Sequence, residues 1–87
     1  MQIQFFEWDL NNIVHIAKHH VTPEEAQEIC HNKPFVYKTS SGRYCLLSQT
    51  DAGRYLTIIV DLVDKATVRV VTARDMSQAE RKRFYRS

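Results

Sequence analysis

From Phe35 to Arg74 the chain consists of four strand-like runs separated by three turn signals, and this constrains the fold more than any other feature. Phe35 to Thr39 is followed by Ser40-Ser41-Gly42, Arg43 to Thr50 by Asp51-Ala52-Gly53, and Arg54 to Val63 by Asp64-Lys65; Ala66 to Arg74 closes the series. The runs carry β-branched and aromatic residues, and the breaks carry residues that favour turns. Connections this short join antiparallel neighbours, so the expectation is a four-stranded antiparallel meander. The Asp51-Ala52-Gly53 break suits a three-residue hairpin with its glycine in the left-handed conformation.

Helices flank this block. Asp9 can cap a first helix running to about His19. At about 100° per residue, Leu10, Ile13, Val14 and Ala17 share one face, while Asn11, Asn12, His15, Lys18 and His19 share the other. The apolar set is therefore expected to face the core. A second helix starts at Thr22 as cap, with Pro23 at the first helical position and Glu25 completing a capping box. Val21 and Ala26 can staple its entry, Ala26, Ile29 and Cys30 form its buried stripe, and Asn32-Lys33-Pro34 ends it. Ser77 with Glu80 is another capping box, opening a helix to about Arg86. Ile3 to Trp8 is expected to be a short extended segment packed on the domain. The result is an α+β domain spanning 1–87, with two N-terminal helices, the four-stranded meander and a C-terminal helix, and with the helices on one face of the sheet.

An 87-residue chain has room for one modest core. Its apolar share of 44% and charged share of 25% are those of a soluble globular domain. No apolar run has membrane-spanning length and the start is not a signal peptide, so a cytoplasmic location without membrane contact is expected. The net charge of +2 is too small to argue for nucleic acid by itself. Its distribution says more: Arg74, Arg81, Lys82, Arg83 and Arg86 crowd the last quarter against only Asp75 and Glu80, while Glu24, Glu25 and Glu28 cluster on the second helix. Cys30 and Cys45 make no zinc motif and are expected to be small buried hydrophobes. His15 and His19 have a spacing that can clamp a metal on a helix, but no third ligand is near and Lys18 between them repels cations. Neither metal nor cofactor is expected. The chain has no glycine-rich phosphate loop and too little bulk for a deep small-molecule pocket.

Hairpin geometry implies a register. With Thr50 opposite Arg54, Leu46 opposes Ile58 and Arg43 opposes Asp61; with Val63 opposite Ala66, Thr57 opposes Thr72 and Tyr55 opposes Arg74. One face then carries Leu46, Leu56, Ile58, Val60, Leu62, Val71 and Ala73, and Arg69 alternates onto that side near Val60. The other carries Gln49, Tyr55, Thr57, Thr72 and Arg74 at one end, with Cys45, Leu47, Ile59 and Val70 at the other. The polar end is the candidate functional surface. Arg74 closes the last strand there. Arg43 is either a cross-strand ion pair with Asp61 or a phosphate ligand, and Arg54 is either a solvated turn residue or part of the site.

Several segments resemble one family in order along nearly the whole chain. Phe6-Glu7-Trp8-Asp9, Lys18-His19 and Val21-Thr22-Pro23-Glu24-Glu25-Ala26 look like the opening of BrnT-type toxins. Gly53-Arg54-Tyr55-Leu56-Thr57-Ile58 is similar to that family's third strand, and Val70-Val71-Thr72-Ala73-Arg74 with Glu80-Arg81 and Tyr85 to its closing strand and helix. The resemblance implies a RelE-like fold and a ribonuclease toxin of a bacterial type II toxin–antitoxin pair. It also implies a partner, a BrnA-like ribbon-helix-helix antitoxin through which alone operator DNA is contacted. The family's basic positions fall on Lys18, His19, Arg54 and Arg74, with Tyr85 as the closing aromatic. His20 stands where the family usually has glycine, which implies a strained left-handed residue at the helix end. Gly42 stands where an acid commonly precedes the arginine that aligns with Arg43, so a proton-transfer role for that acid would have no carrier in this chain.

The expected chemistry is metal-independent RNA cleavage by attack of a 2′-hydroxyl on the adjacent phosphate. Arg74 and then Arg54 would stabilise the charge, His19 would move a proton with Lys18 alongside, and Tyr85 would stack or donate to phosphate. Arg43, Tyr55 and Arg81 are candidate RNA contacts. The rival expectation is a non-catalytic module that holds a ribbon-helix-helix partner and co-represses its operon, since no carboxylate is evident near Arg74 on the polar face.

Overall fold

The computed structural model describes residues 1–87. Its elements are β1 (Phe5–Glu7), α1 (Leu10–Ala17), α2 (Pro23–His31), β2 (Phe35–Lys38), β3 (Tyr44–Gln49), β4 (Tyr55–Leu62), β5 (Thr67–Asp75) and α3 (Gln78–Arg86). The fold is α+β, with three helices and one sheet. The helix starts follow from the caps: Asp9, Thr22 and Ser77 each accept from the backbone of the residue three further on, and each box is closed reciprocally, by Asn12, Glu25 and Glu80. His20 ends the first helical segment with φ 60, and Gly53 turns the β3–β4 hairpin with φ 96. No helix is long and apolar enough to cross a membrane.

The sheet has five strands rather than four, in the order β1-β5-β4-β3-β2. The extended segment at the start is itself a strand, parallel to β5 with Phe5 opposite Thr67 and Glu7 opposite Arg69. Periodicity alone could not show this, because a three-residue strand has no period to count and its partner lies 62 residues away in the chain. The meander is as expected for β2-β3-β4, with Leu46 opposite Ile58 and Gln49 opposite Tyr55.

The β4–β5 register differs from the hairpin expectation in two steps. The Asp64 carboxylate accepts from the N–H groups of Ala66 and Thr67, lengthening the turn so that Val63 donates to Thr67 rather than lying opposite Ala66. Then Ile59 faces Thr72 while Val60 faces Val70, which leaves Val71 as the extra residue of a bulge. Thr57 consequently pairs with Arg74, not Thr72. The first half of β5 is inverted relative to expectation. Val68 and Val70 join the core, and Val71 does not. Arg69 points away from the core, opposite Asp61, and bonds Asp9 at 2.8 Å and Glu7 at 3.5 Å instead of snorkelling over Val60.

The core lies between one sheet face and the first two helices: Leu46, Leu56, Ile58, Val60, Val68, Val70 and Ala73 meet Ile16, Val21, Ala26, Ile29 and Cys30. The helices do not share that face, however. α3 crosses the opposite surface, here termed the back face, where Glu80 bonds Thr57 and Arg74. None of its residues is fully buried; polar and cation–aromatic contacts hold it, with Phe84 packed edge-on against Tyr55 at 6.2 Å.

α1 is turned inside out relative to its pattern. Leu10 is 76% exposed, Val14 46% and Ile13 37%, whereas Asn12 and Ile16 are buried. The cause is the edge of β5. Where β1 stops, the Asn12 amide takes over, donating to the carbonyls of Glu7 at 3.0 Å and Val70 at 3.1 Å. An unpaired carbonyl buried at that edge would cost about 1–3 kcal/mol, enough to turn the helix onto its Asn12–Ile16 side. Ile16→Ala should accordingly lower unfolding free energy by about 2–5 kcal/mol, whereas Val14→Ala should change it by less than about 0.5 kcal/mol, as measured by urea denaturation.

Candidate functional site

The polar end of the back face is assembled from β4, β5 and α3. Thr57 and Arg74 are cross-strand partners, and both point at Glu80 from the first turn of α3. The Arg74 guanidinium grips the Glu80 carboxylate with both arms, at 2.6 and 2.9 Å, and Thr57 Oγ1 donates to it at 3.0 Å. The backbone N–H of Ser77 adds a fourth bond at 2.8 Å. Burial by itself pushes the Glu80 carboxyl up. The Arg74, Ser77 and Thr57 bonds overcome it and hold the group down at about 2. The sequence hides Glu80, because its part in a capping box already accounts for it and only the β4–β5 register brings it over Arg74.

Beside this pair, Tyr55 from β4 and Tyr85 from α3 share a hydroxyl–hydroxyl hydrogen bond, and the Arg81 guanidinium lies 4.1 Å over the Tyr55 ring. The bond to Tyr85 raises the Tyr55 phenol, while the bond to Tyr55 and the Arg81 charge lower that of Tyr85. Three sequence candidates, Tyr85, Tyr55 and Arg81, thus meet in one cluster, beside the fourth, Arg74, whose partner Glu80 precedes Arg81 on α3.

The others are placed differently. Arg54 is a clamp: it donates to the backbone carbonyls of His19 (3.2 Å) and His20, to both oxygens of Glu25 (3.2 and 3.3 Å) and to Asp75 (3.2 Å). It ties the end of α1 to the start of α2 and the end of β5, and offers no free donor fork. Arg43 pairs with Asp61 at 3.0 Å, both half-exposed, at the far end of the back face. Lys18 forms no ion pair and lines a shallow cleft with Leu10, Asn11, Val14 and His15, apart from the Arg74 cluster.

His19 stacks edge-on with His15 at 5.7 Å, and His15 Nε2 lies 3.1 Å from Thr72 Oγ1. Thr72 and Arg74 follow each other on the back face of β5, about 7 Å apart by strand geometry. His15 is therefore an imidazole anchored to β5 two residues before Arg74, a placement that depends on the inverted α1 and that the amphipathic pattern conceals. No three His, Cys, Asp or Glu side chains are placed to hold a metal ion. Both thiols are buried; burial pushes Cys30 up to about 12 and raises Cys45 as well, so neither is a ready nucleophile.

The charge pattern separates the strand arginines from the cations of α3. Arg43, Arg54, Arg69 and Arg74, all on or beside strands, each hold a carboxylate. Arg81, Lys82, Arg83 and Arg86 on α3 hold none. No protein-family model matches this chain, and no curated protein matches it.

The Glu80 carboxyl sits below its ordinary value of 4.5, so its pairing stabilises the fold fully above that pH and is lost as pH falls toward about 2. Glu80→Gln should lower stability at neutral pH and flatten the acid limb between those two values, as followed by circular dichroism across a pH series.

Proposed function

We propose that this chain is a metal-independent endoribonuclease of the RelE-like kind, the toxin of a bacterial type II toxin–antitoxin pair that inhibits translation by cleaving RNA. The observation that carries the reading is the juxtaposition on β5 of an anchored imidazole and a rigid guanidinium: His15 held by Thr72, and Arg74 held by Glu80 one strand repeat away. Cleavage through a 2′-hydroxyl needs a proton carrier and a fixed positive charge at the phosphorane, on either side of one phosphate. Imidazole is the side chain best suited to carry protons near neutral pH. The pair His15 and His19 takes that role, with Lys18 at its margin. Glu80, held at about 2, is too weak a base to abstract the proton; it orients the Arg74 fork, one side chain from the phosphate. Tyr85 and Tyr55 offer a phenol donor and a stacking face, and Arg81 adds charge.

The partner in this reading is a BrnA-like ribbon-helix-helix antitoxin, with operator DNA reached only through it. The exposed Leu10, Ile13 and Val14 stripe of α1 is an apolar surface of the kind a partner covers.

A second reading is favoured by one specific feature. The bidentate Glu80 contact already satisfies much of the Arg74 charge, which suits a non-catalytic module that holds its partner and co-represses an operon. The two readings part on expression and on purified RNA. A toxin arrests bacterial growth when induced, is relieved by the co-expressed neighbouring gene, and cuts RNA in the presence of a chelator; a module does none of these.

In the catalytic reading, Arg74→Ala made in a Glu80→Gln background, so that no carboxylate is left stranded, should lower the cleavage rate by about 10²–10³-fold relative to Glu80→Gln alone. Substrate carrying deoxyribose at the cut position should stay intact. Cleavage of that substrate, or an unchanged rate without Arg74, removes this mechanism. Separately, Leu10→Glu with Val14→Glu should leave cleavage intact and abolish relief by the neighbour in the growth assay; retained relief places the antitoxin elsewhere.

A further inference from the structure

α3 presents two different sides to the sheet. Glu80, Arg81 and Tyr85 face β4 and β5, whereas Ala79, Lys82, Arg83 and Arg86 recur at helical spacing on the side toward the β2 edge. On that second side, Phe35, Lys82, Arg83 and Arg86 line an open cleft of about 510 Å³. Ala79 and Ser87 complete the lining, no Asp or Glu side chain is among it, and none of its three cations has an ion pair. Arg83 is instead fixed by aromatic faces, its guanidinium 3.9 Å over Tyr37 and 5.3 Å over Phe35. Phe35 begins the edge strand β2, is only partly buried, and meets Tyr37 at 5.9 Å between ring centres.

We propose that this cleft binds a short single-stranded stretch of nucleic acid, with phosphates on Lys82 and Arg86 and one base laid on the Phe35 face beside Arg83. The proposal rests on the RNA-directed reading above and extends it, because the cleft lies across α3 from Arg74 and would hold nucleotides flanking the one at the reacting phosphate. The chemistry selects this ligand. Cations free of acids in a row suit a polyanion, and a surface helix that only needed solubility would interleave carboxylates. An aromatic face with a stacked guanidinium adds a site for a base, which an acidic peptide would leave unused. A duplex keeps its bases stacked inside and cannot reach Phe35. Arg43, Arg54 and Arg69 cannot supply this surface, since each would have to release a carboxylate first, and Arg74 lies on the other side of α3 at the reacting phosphate.

Fluorescence anisotropy of the full chain with a labelled twelve-nucleotide single-stranded DNA tests the site without cleavage, because that probe has no 2′-hydroxyl. The chain should bind it more tightly than a duplex of equal length, polyglutamate or phosphatidylserine vesicles. Lys82→Ala with Arg86→Ala should weaken binding about tenfold or more and reduce the salt slope by about 1.4, the value for two lost phosphate contacts on a single strand. Phe35→Leu, which keeps the apolar bulk and removes the π-face, should weaken binding about fivefold or more with little change in that slope. Circular dichroism confirms that each variant is folded. Binding that is unchanged in both variants, or that favours duplex, polyglutamate or vesicles, overturns the proposal. Binding with these losses in a protein that cuts no RNA overturns the nuclease reading and leaves the cleft standing; RNA cleavage with binding indifferent to both variants does the reverse.

Discussion

The Glu80 carboxylate determines how the functional half of this molecule is put together. It completes the cap of α3, takes both arms of Arg74 and receives the Thr57 hydroxyl, so it ties a helix with no buried residue to the sheet, alongside the contacts of Arg81, Arg83 and Tyr85 with sheet aromatics. A buried or half-buried carboxylate is stable only when its lone pairs are met, and here four donors meet them. Two consequences follow. Arg74 is held in one orientation, which suits a catalytic guanidinium, and part of its charge is already answered. The arginines left to attract a polyanion are those of α3 itself.

This redistribution changes the picture that charge counting suggests. Arginines gathered on a sheet look like a phosphate-binding surface, but each of the four here is occupied by carboxylates from a neighbouring element. Arg54 is the clearest case, since its donors close the α1–α2 turn and reach the end of β5. Such arginines hold elements together, and the cations of α3, flanked by Phe35, Tyr37 and Tyr55, remain to meet a ligand.

Much of this was legible in advance because it depends on local rules. The Asp9 cap, the capping boxes at Thr22 and Ser77, the left-handed Gly53 and the β3–β4 register follow from short-range backbone chemistry, the left-handed His20 was implied by the family resemblance, and all are present; the reciprocal Asn12 bond that makes Asp9 a full box was not read from the sequence. Tyr55 and Arg74 were reachable together because alternation on β4 and β5 puts both on one side, whereas Arg81 and Tyr85 join them only because α3 crosses that side. What was hidden depended on distant partners. The β1–β5 pairing joins the two ends of the chain. The bulge at Val71 swaps the faces of half a strand, and nothing in Val70-Val71 announces which valine is the extra one. Asn12 reads as solvent-facing until β5 presents it with a carbonyl.

The amino-acid sequence by itself determined where each helix begins, where the chain turns, and that the last quarter carries the net positive charge, because caps, turns and charge act over a few residues. Only the tertiary structure decided which face of α1 is buried, on which side of the sheet α3 lies, and which arginines keep their charge free. Those outcomes turn on satisfying buried polar groups, and the partner that satisfies each one is brought in by folding from elsewhere in the chain.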